Sequence, residues 1–396
     1  MRTYFVNKKW KIRLLFVLFF LFFNFHLPTF TVFAEENYDD TALEEEILQQ
    51  IDKLDLEALQ SYISSLNGLE DSTVAERLMA YIKGADVQYL SLGKAFAKVF
   101  LAKIDGLLPA FACITAVALL SGLLSALKSG TAGQTASEMI FIITYVAALI
   151  PMIAVLTEVF TVSLASLHSM QKQMHIVFPI MLTLMGASGS MVSVSVCRPA
   201  VAFFSTTIVS IIDSVVFPLT ITIVVFSMAS KLTKDLKIGK FTAFFKSINK
   251  WIIGICVSVF GIFFTLQGIT TAVYDGVVRR AAKYAIGNGI PIVGGFLSGG
   301  FDLAVAGGIL IKNSLGSMSI FLMFSVLFEP IAILISVNVL LRLVSAITQP
   351  FGEGKISDFL GETAENLHYC TAGLLFMAFL YFLTIMIMIF STEALL

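Results

Sequence analysis

Four carboxylates, Glu158, Asp213, Asp302 and Glu329, sit within or beside long apolar runs. An acid at the centre of a membrane span costs at least about 2.5 kcal/mol on insertion scales, so it usually faces a bundle interior, a partner or water. The chemistry on offer is ion pairing or a polar path rather than bond making, and these four are candidate members of a polar seam. A second reading keeps Glu158 near a span end and the others protonated or structurally paired. Arg198 and Lys312 each follow a glycine-rich segment. Snorkelling to the interface is their expected role, with pairing to these acids as the alternative.

Catalytic patterns fail for want of partners. Gly186-Ala187-Ser188-Gly189 has the GxSG form of rhomboid-type intramembrane proteases, but such a serine needs a His from a later span to take its proton. The only His that follows is His368, outside the last apolar run. Leu297-Ser298-Gly299-Gly300 has the form of an ABC ATPase signature, yet the sequence contains no GxxxxGK(S/T) phosphate loop and no HExxH zinc pair. Cys113, Cys197, Cys256 and Cys370 lie inside or at the ends of apolar segments without CxxC spacing, so neither a disulfide framework nor a metal site is expected. The expectation is a protein that is not an enzyme and carries no cofactor or metal.

The elements that must position these residues follow from composition. With 57% hydrophobic and 13% charged residues over 396 positions, polar groups cannot cover a water-soluble surface, so the bilayer solvates much of the chain. The expected class is an all-α polytopic helical membrane protein with a small N-terminal extracytoplasmic helical module. Arg2, Lys8, Lys9, Lys11 and Arg13 precede the apolar run from Leu14 to Phe33, and Val32-Phe33-Ala34 is a small-residue exit. Residues 1–34 therefore read as a cleaved signal peptide, with an uncleaved anchor as the alternative. Either way residue 35 lies outside the cytoplasm. The net charge of -1 conceals an asymmetry: residues 35–90 hold 14 acids against 3 bases, whereas residues 231–250 hold 6 Lys against 1 Asp.

Residues 35–104 have the composition of an acidic helical module. Thr41 with Glu44 and Thr73 with Glu76 fit capping boxes, each opening apolar residues at helical spacing. So few large apolar groups make a thin core, so the module is expected to pack on a partner or on the membrane surface, a solvated linker being the alternative.

Residues 105–396 form the multi-span domain, with membrane-length runs at about 107–127, 139–165, 176–197, 200–230, 251–273, 290–311, 318–341 and 371–390. Gly186 and Gly189 in one run, and Gly294, Gly295, Gly299 and Gly300 in another, permit close packing or a broken helix, which a membrane tolerates only where protein or water surrounds it. Between Lys231 and Trp251, Phe241, Phe244 and Phe245 recur at helical spacing among Lys231, Lys234, Lys237 and Lys240. This reads as an interfacial helix on membrane lipid with Trp251 at headgroup depth, cytoplasmic by the positive-inside rule. If every run before it crossed once, that loop would emerge outside, so one run is expected to be re-entrant. A tandem arrangement, 139–250 and 251–362, is one way to choose it: Pro179 and Pro291, like Pro218 and Pro330, lie 112 residues apart.

Gln267-Gly268, Asp275-Gly276-Val277-Val278-Arg279-Arg280-Ala281-Ala282-Lys283-Tyr284 and Gly287-Asn288-Gly289-Ile290-Pro291-Ile292-Val293-Gly294 resemble the stage III sporulation protein AE family of endospore-forming bacteria. Lys312-Asn313-Ser314-Leu315-Gly316, Gln349-Pro350-Phe351-Gly352, Pro179-Ile180-Met181-Leu182-Thr183-Leu184 and Ala187-Ser188-Gly189 are similar to it as well. The resemblance implies a multi-pass protein of the mother-cell membrane surrounding the forespore. Its partners would be other stage III sporulation membrane proteins, in a channel or secretion-like complex joining the two cells. It implies no catalytic residues and no nucleic acid. Two alternatives stay open: a secondary transporter with a midplane site for a small solute or ion, and a scaffold without a conduit.

Overall fold

The computed structural model describes residues 40–65, 73–83, 89–128, 134–232, 238–263, 294–350 and 354–393. The expected signal peptide, Lys234, Lys237 and the stretch 264–293 lie outside them. Leu43–Leu396 forms one compact unit, and of the unit Met1–Ala42 only the residues opening the first helix are described.

Ten helices follow among the described residues: α1 (Asp40–Asp52), α2 (Glu57–Ser64), α3 (Val74–Ile82), α4 (Tyr89–Lys128), α5 (Gln134–Ala187), α6 (191–232), α7 (Gly239–Phe263), α8 (Gly294–Thr348), α9 (Gly354–Asn366) and α10 (His368–Glu393). The capping box at α3 forms as its sequence requires: Glu76 N–H donates to Thr73 Oγ1 at 3.2 Å, and Thr73 N–H donates to Glu76 Oε2 at 2.9 Å. Thr41 is the second described residue of α1. The boundary expected near residue 104 falls inside α4, which passes through it unbroken.

Six helical stretches among the described residues are long and apolar enough to cross a membrane. The eight apolar runs reduce to these six because two pairs share a helix. The 139–165 run and most of the 176–197 run lie on α5, whose 54 residues extend about 80 Å, and 294–311 and 318–341 lie on the 55-residue α8. The polar residues Ser166, His168, Gln171, Lys172, Gln173 and His175 interrupt the apolar pattern of α5 without interrupting its backbone.

The chain turns instead at 186–190. Gly189 takes φ 84°, Ser190 N–H donates to Met185 O and Gly189 N–H to Gly186 O, both at 3.0 Å. This is the Schellman pattern, and Gly189 supplies the left-handed residue that it needs. The other glycine-rich stretch behaves differently: Gly294, Gly295, Gly299 and Gly300 are all within the continuous α8. The break at 187–190 thus has no counterpart 112 residues on.

The core is built around α8 and α10. Every residue from Asp302 to Phe328 and from Tyr369 to Ile389 is buried or half-buried. α6 and α7 pair antiparallel through Phe204 with Phe260 (4.9 Å between rings), Asn249 Nδ2 donating to Thr220 Oγ1 (2.9 Å) and Phe226 with Phe245 (5.6 Å). One end of the bundle is closed by α9. There Tyr145 O–H donates to Met228 O at 2.8 Å, Tyr145 and Phe359 meet edge to face, and Lys231 Nζ lies 2.8 Å from Glu362 Oε1.

Candidate functional site

The four acids do not form one seam. Glu158 on α5 and Glu329 on α8 converge on Lys103 of α4, whose Nζ lies 3.8 Å from Glu158 Oε1 and 2.8 Å from Glu329 Oε1. Asp213 on α6 stands apart with His168 of α5, 3.2 Å from its Nε2. Asp302 is half-buried near the start of α8, 27 residues before Glu329 and so about 40 Å from it along the axis. Lys103 is the residue that sequence reasoning missed. Its place just before the 107–127 run marks it only as an interfacial cation, and the two carboxylates that it gathers are distant in the chain.

The Lys103 triad lies where three helices change character. Beyond it the exposed faces are apolar: Leu108, Leu120, Leu123 and Leu124 on α4, Met139, Ile143, Ile150 and Ile153 on α5, and Ile335, Val339, Leu343 and Ile347 on α8. On the other side α5 exposes Thr161, Ala165, His168, Lys172, His175, Pro179 and Thr183, and α4 exposes Lys94 and Lys98, with Leu101 the apolar exception. On α4, α5 and α8 an apolar belt thus ends at a half-exposed ion triad, the expected setting of headgroup depth, and beyond it α5 presents a polar face, while α6 still exposes Met191, Val196 and Phe203.

That polar half carries the second cluster. Besides the His168–Asp213 contact, Gln171 Nε2 donates to Ser205 O at 3.3 Å. Asp213 and Ser205, the α6 positions in this cluster, both lie in π-helical turns, Ile212–Val216 and Phe204–Ile208. Such turns recur at functional sites because one extra residue per turn re-aims side chains and loosens the backbone ladder. On the neighbouring side α2 packs on α5. Tyr62 O–H is 3.0 Å from Ser169 Oγ, and Lys172 Nζ lies 5.9 Å from the Tyr62 ring centroid. Burial pushes the Tyr62 phenol above its ordinary value, the Ser169 hydrogen bond partly offsetting this. Ala58 and Ser61 of α2 with His168, Gln171, Lys172, His175 and Ile176 of α5 enclose an open groove of about 570 Å³.

Close packing is supplied by Gly308, within the glycine-rich run, and by Gly316 beyond it. A Cβ on Gly308 would sit 2.8 Å from Ser188 Oγ, and one on Gly316 would sit 2.6 Å from Ile389 Cδ1. A Cβ on Gly186 would meet Met191 Sδ at 4.0 Å, an ordinary van der Waals contact. Lys312 does not snorkel: it is fully buried and its Nζ donates to Ile389 O at 2.7 Å, near the C-terminal end of α10. A cation there suits the helix dipole. Arg198 is exposed.

The described residues of the lysine-rich stretch lie on two helices. Lys231 ends α6 in its pair with Glu362, whereas Lys240, Phe241, Phe244, Phe245 and Trp251 lie on α7. Phe241, Phe244 and Trp251 are exposed, Trp251 at 71%, as an interfacial aromatic would be, while Phe245 turns inward onto Phe226.

Residues 74–392 match the family described as Stage III sporulation protein AE. The chain is similar to Stage III sporulation protein AE of Bacillus subtilis (strain 168), with 24% identity over 267 residues that cover 67% of each chain. No solved structure matches.

Proposed function

The chain belongs to the stage III sporulation protein AE family, and from that premise we propose that it is a membrane component of a channel or secretion-like complex linking mother cell and forespore, assembled with other stage III sporulation membrane proteins. The observation that carries this reading is the length and polarity of α5. About 80 Å of helix is more than twice a bilayer's hydrocarbon thickness of about 30 Å, and the half beyond the Lys103 triad exposes a polar face. A surface raised out of lipid in this way suits docking of partner proteins better than enclosure of a solute at the bilayer midplane.

Sidedness follows from counting. With residue 35 outside, the six spans among the described residues alternate so that Lys231 and Lys240 fall on the cytoplasmic side, as the positive-inside rule requires. The N-terminal module, the Lys103 triad and the polar half of α5 then share the intercellular space. Lys103 and Glu329 act there as a collar at the membrane surface, and His168 with Asp213 holds the two helices of the polar face together.

The test is recovery of partners. Affinity purification of the tagged chain from cross-linked sporulating cells is expected to bring down other stage III sporulation membrane proteins, with less complex recovered from Asp213→Ala. Recovery of the chain alone, together with solute flux through liposomes holding only this chain, would overturn the assembly role in favour of a permease.

A further inference from the structure

His168, Lys172 and His175 stand at i, i+4 and i+7 on α5, so they line one helical face over about 10 Å. All three are exposed, and Ser61 and Gln171 complete the polar wall of the groove beside α2. Two carboxylates stand near it. Asp213 reaches His168 from α6, and Glu57 stands at the rim, one turn before Ser61 on the same face of α2. Among the described residues no carboxylate is ion-paired with Lys172 or His175. Lys172 is nevertheless held in place, its ammonium lying by the Tyr62 ring while Tyr62 is tied to Ser169. A cation ordered before its ligand arrives loses less freedom on binding.

We infer that this groove binds an acidic peptide segment of a partner protein, one whose carboxylates recur about once per helical turn. The row of donors decides the ligand class. A phosphate or lipid headgroup is compact and is commonly held by an Arg fork or by the backbone N–H groups of a helix N-terminus. Here the donors are side chains of a mid-helix face, with no Arg among them, and they are spread along the axis. Asp213 already shows the chemistry: a carboxylate from a neighbouring helix meets the first member of the row. Lys172 and His175 continue the row, and a second acidic helix laid along α5 would engage them. This reading concerns the groove itself and stands whether or not the complex is the one proposed above.

Fluorescence anisotropy with labelled hexaglutamate and the full chain in phosphatidylcholine nanodiscs tests it. The expected result is saturable, salt-sensitive binding that Lys172→Glu weakens about tenfold and Lys172→Arg restores. An unchanged melting temperature shows that the exposed substitution leaves the fold intact. Absence of saturable binding, or equal binding by Lys172→Glu, would overturn the proposal. So would phosphatidylglycerol vesicles, and not hexaglutamate, being captured in a Lys172-dependent way, since that outcome assigns the groove to a lipid headgroup.

Discussion

Lys103 on α4 and Glu329 on α8 meet at 2.8 Å, and they do so at the level where the exposed faces of α4 and α5 turn from apolar to polar. Glu158 joins from α5 at 3.8 Å, and beyond this level α4 and α5 expose polar residues whereas α8 is buried or half-buried from Asp302 to Phe328. The pair is a depth marker as much as a bond, since its side chains remain 26% and 55% exposed.

For such a pair, solvent screening keeps the energy small. Glu329→Gln is expected to lower unfolding stability in detergent by no more than about 1 kcal/mol. Lys103→Glu, which places three acids together, is expected to do more harm, and the exchange Lys103→Glu with Glu329→Lys to recover most of the loss. Thermal melts of the four proteins check this. A double variant as unstable as Lys103→Glu alone would show that the charges are not coupled.

Lys312 presents the opposite case, a buried cation. Lys312→Ala removes the donor to Ile389 O and empties a packed site, which is expected to cost about 3–5 kcal/mol. Lys312→Met keeps most of the volume and leaves no unpaired charge, so it should be much milder. Denaturant titration in mild detergent distinguishes them. Equal, small effects would mean that Lys312 is not buried as described.

The apolar runs, the capping box at Thr73 and the exposure of Trp251 were legible in the sequence because each is a local pattern. The continuity of α5 was not. His168, Lys172 and His175 look like a loop between two spans when hydropathy alone is read, although their i, i+4, i+7 spacing is that of one helical face. The true break depends on the positive φ of Gly189, a backbone property that glycine content alone does not locate: Gly294 to Gly300 are denser in glycine and remain helical. The convergence of Glu158 and Glu329 on Lys103 was also out of reach, because their separation in the chain carries no pairing signal.

Docking of α2 should respond to alkali. Burial holds the Tyr62 pKa above its ordinary 10.0, so the neutral phenol is the form that the folded contact favours. A group raised in this way stabilises fully below its unfolded value, and the contribution is lost as pH rises through the folded value. Proteolysis of the α2–α3 segment is therefore expected to accelerate above pH 10 in the native chain. Tyr62→Phe should be weakened by about 1 kcal/mol at neutral pH, for want of the bond to Ser169, and should lack the alkaline step. An alkaline step of the same size in Tyr62→Phe would assign it to another group.

The most direct measurement is cysteine accessibility in intact and permeabilised cells, with single cysteines placed at Lys172, Lys240 and Lys355 of a cysteine-free chain. Six alternating crossings with a polar half of α5 outside require that Lys172→Cys react with an impermeant maleimide in intact cells, and that Lys240→Cys and Lys355→Cys react only after permeabilisation. Labelling of positions 172 and 240 from the same side would contradict the topology and, with it, the placement of the polar face between the two cells.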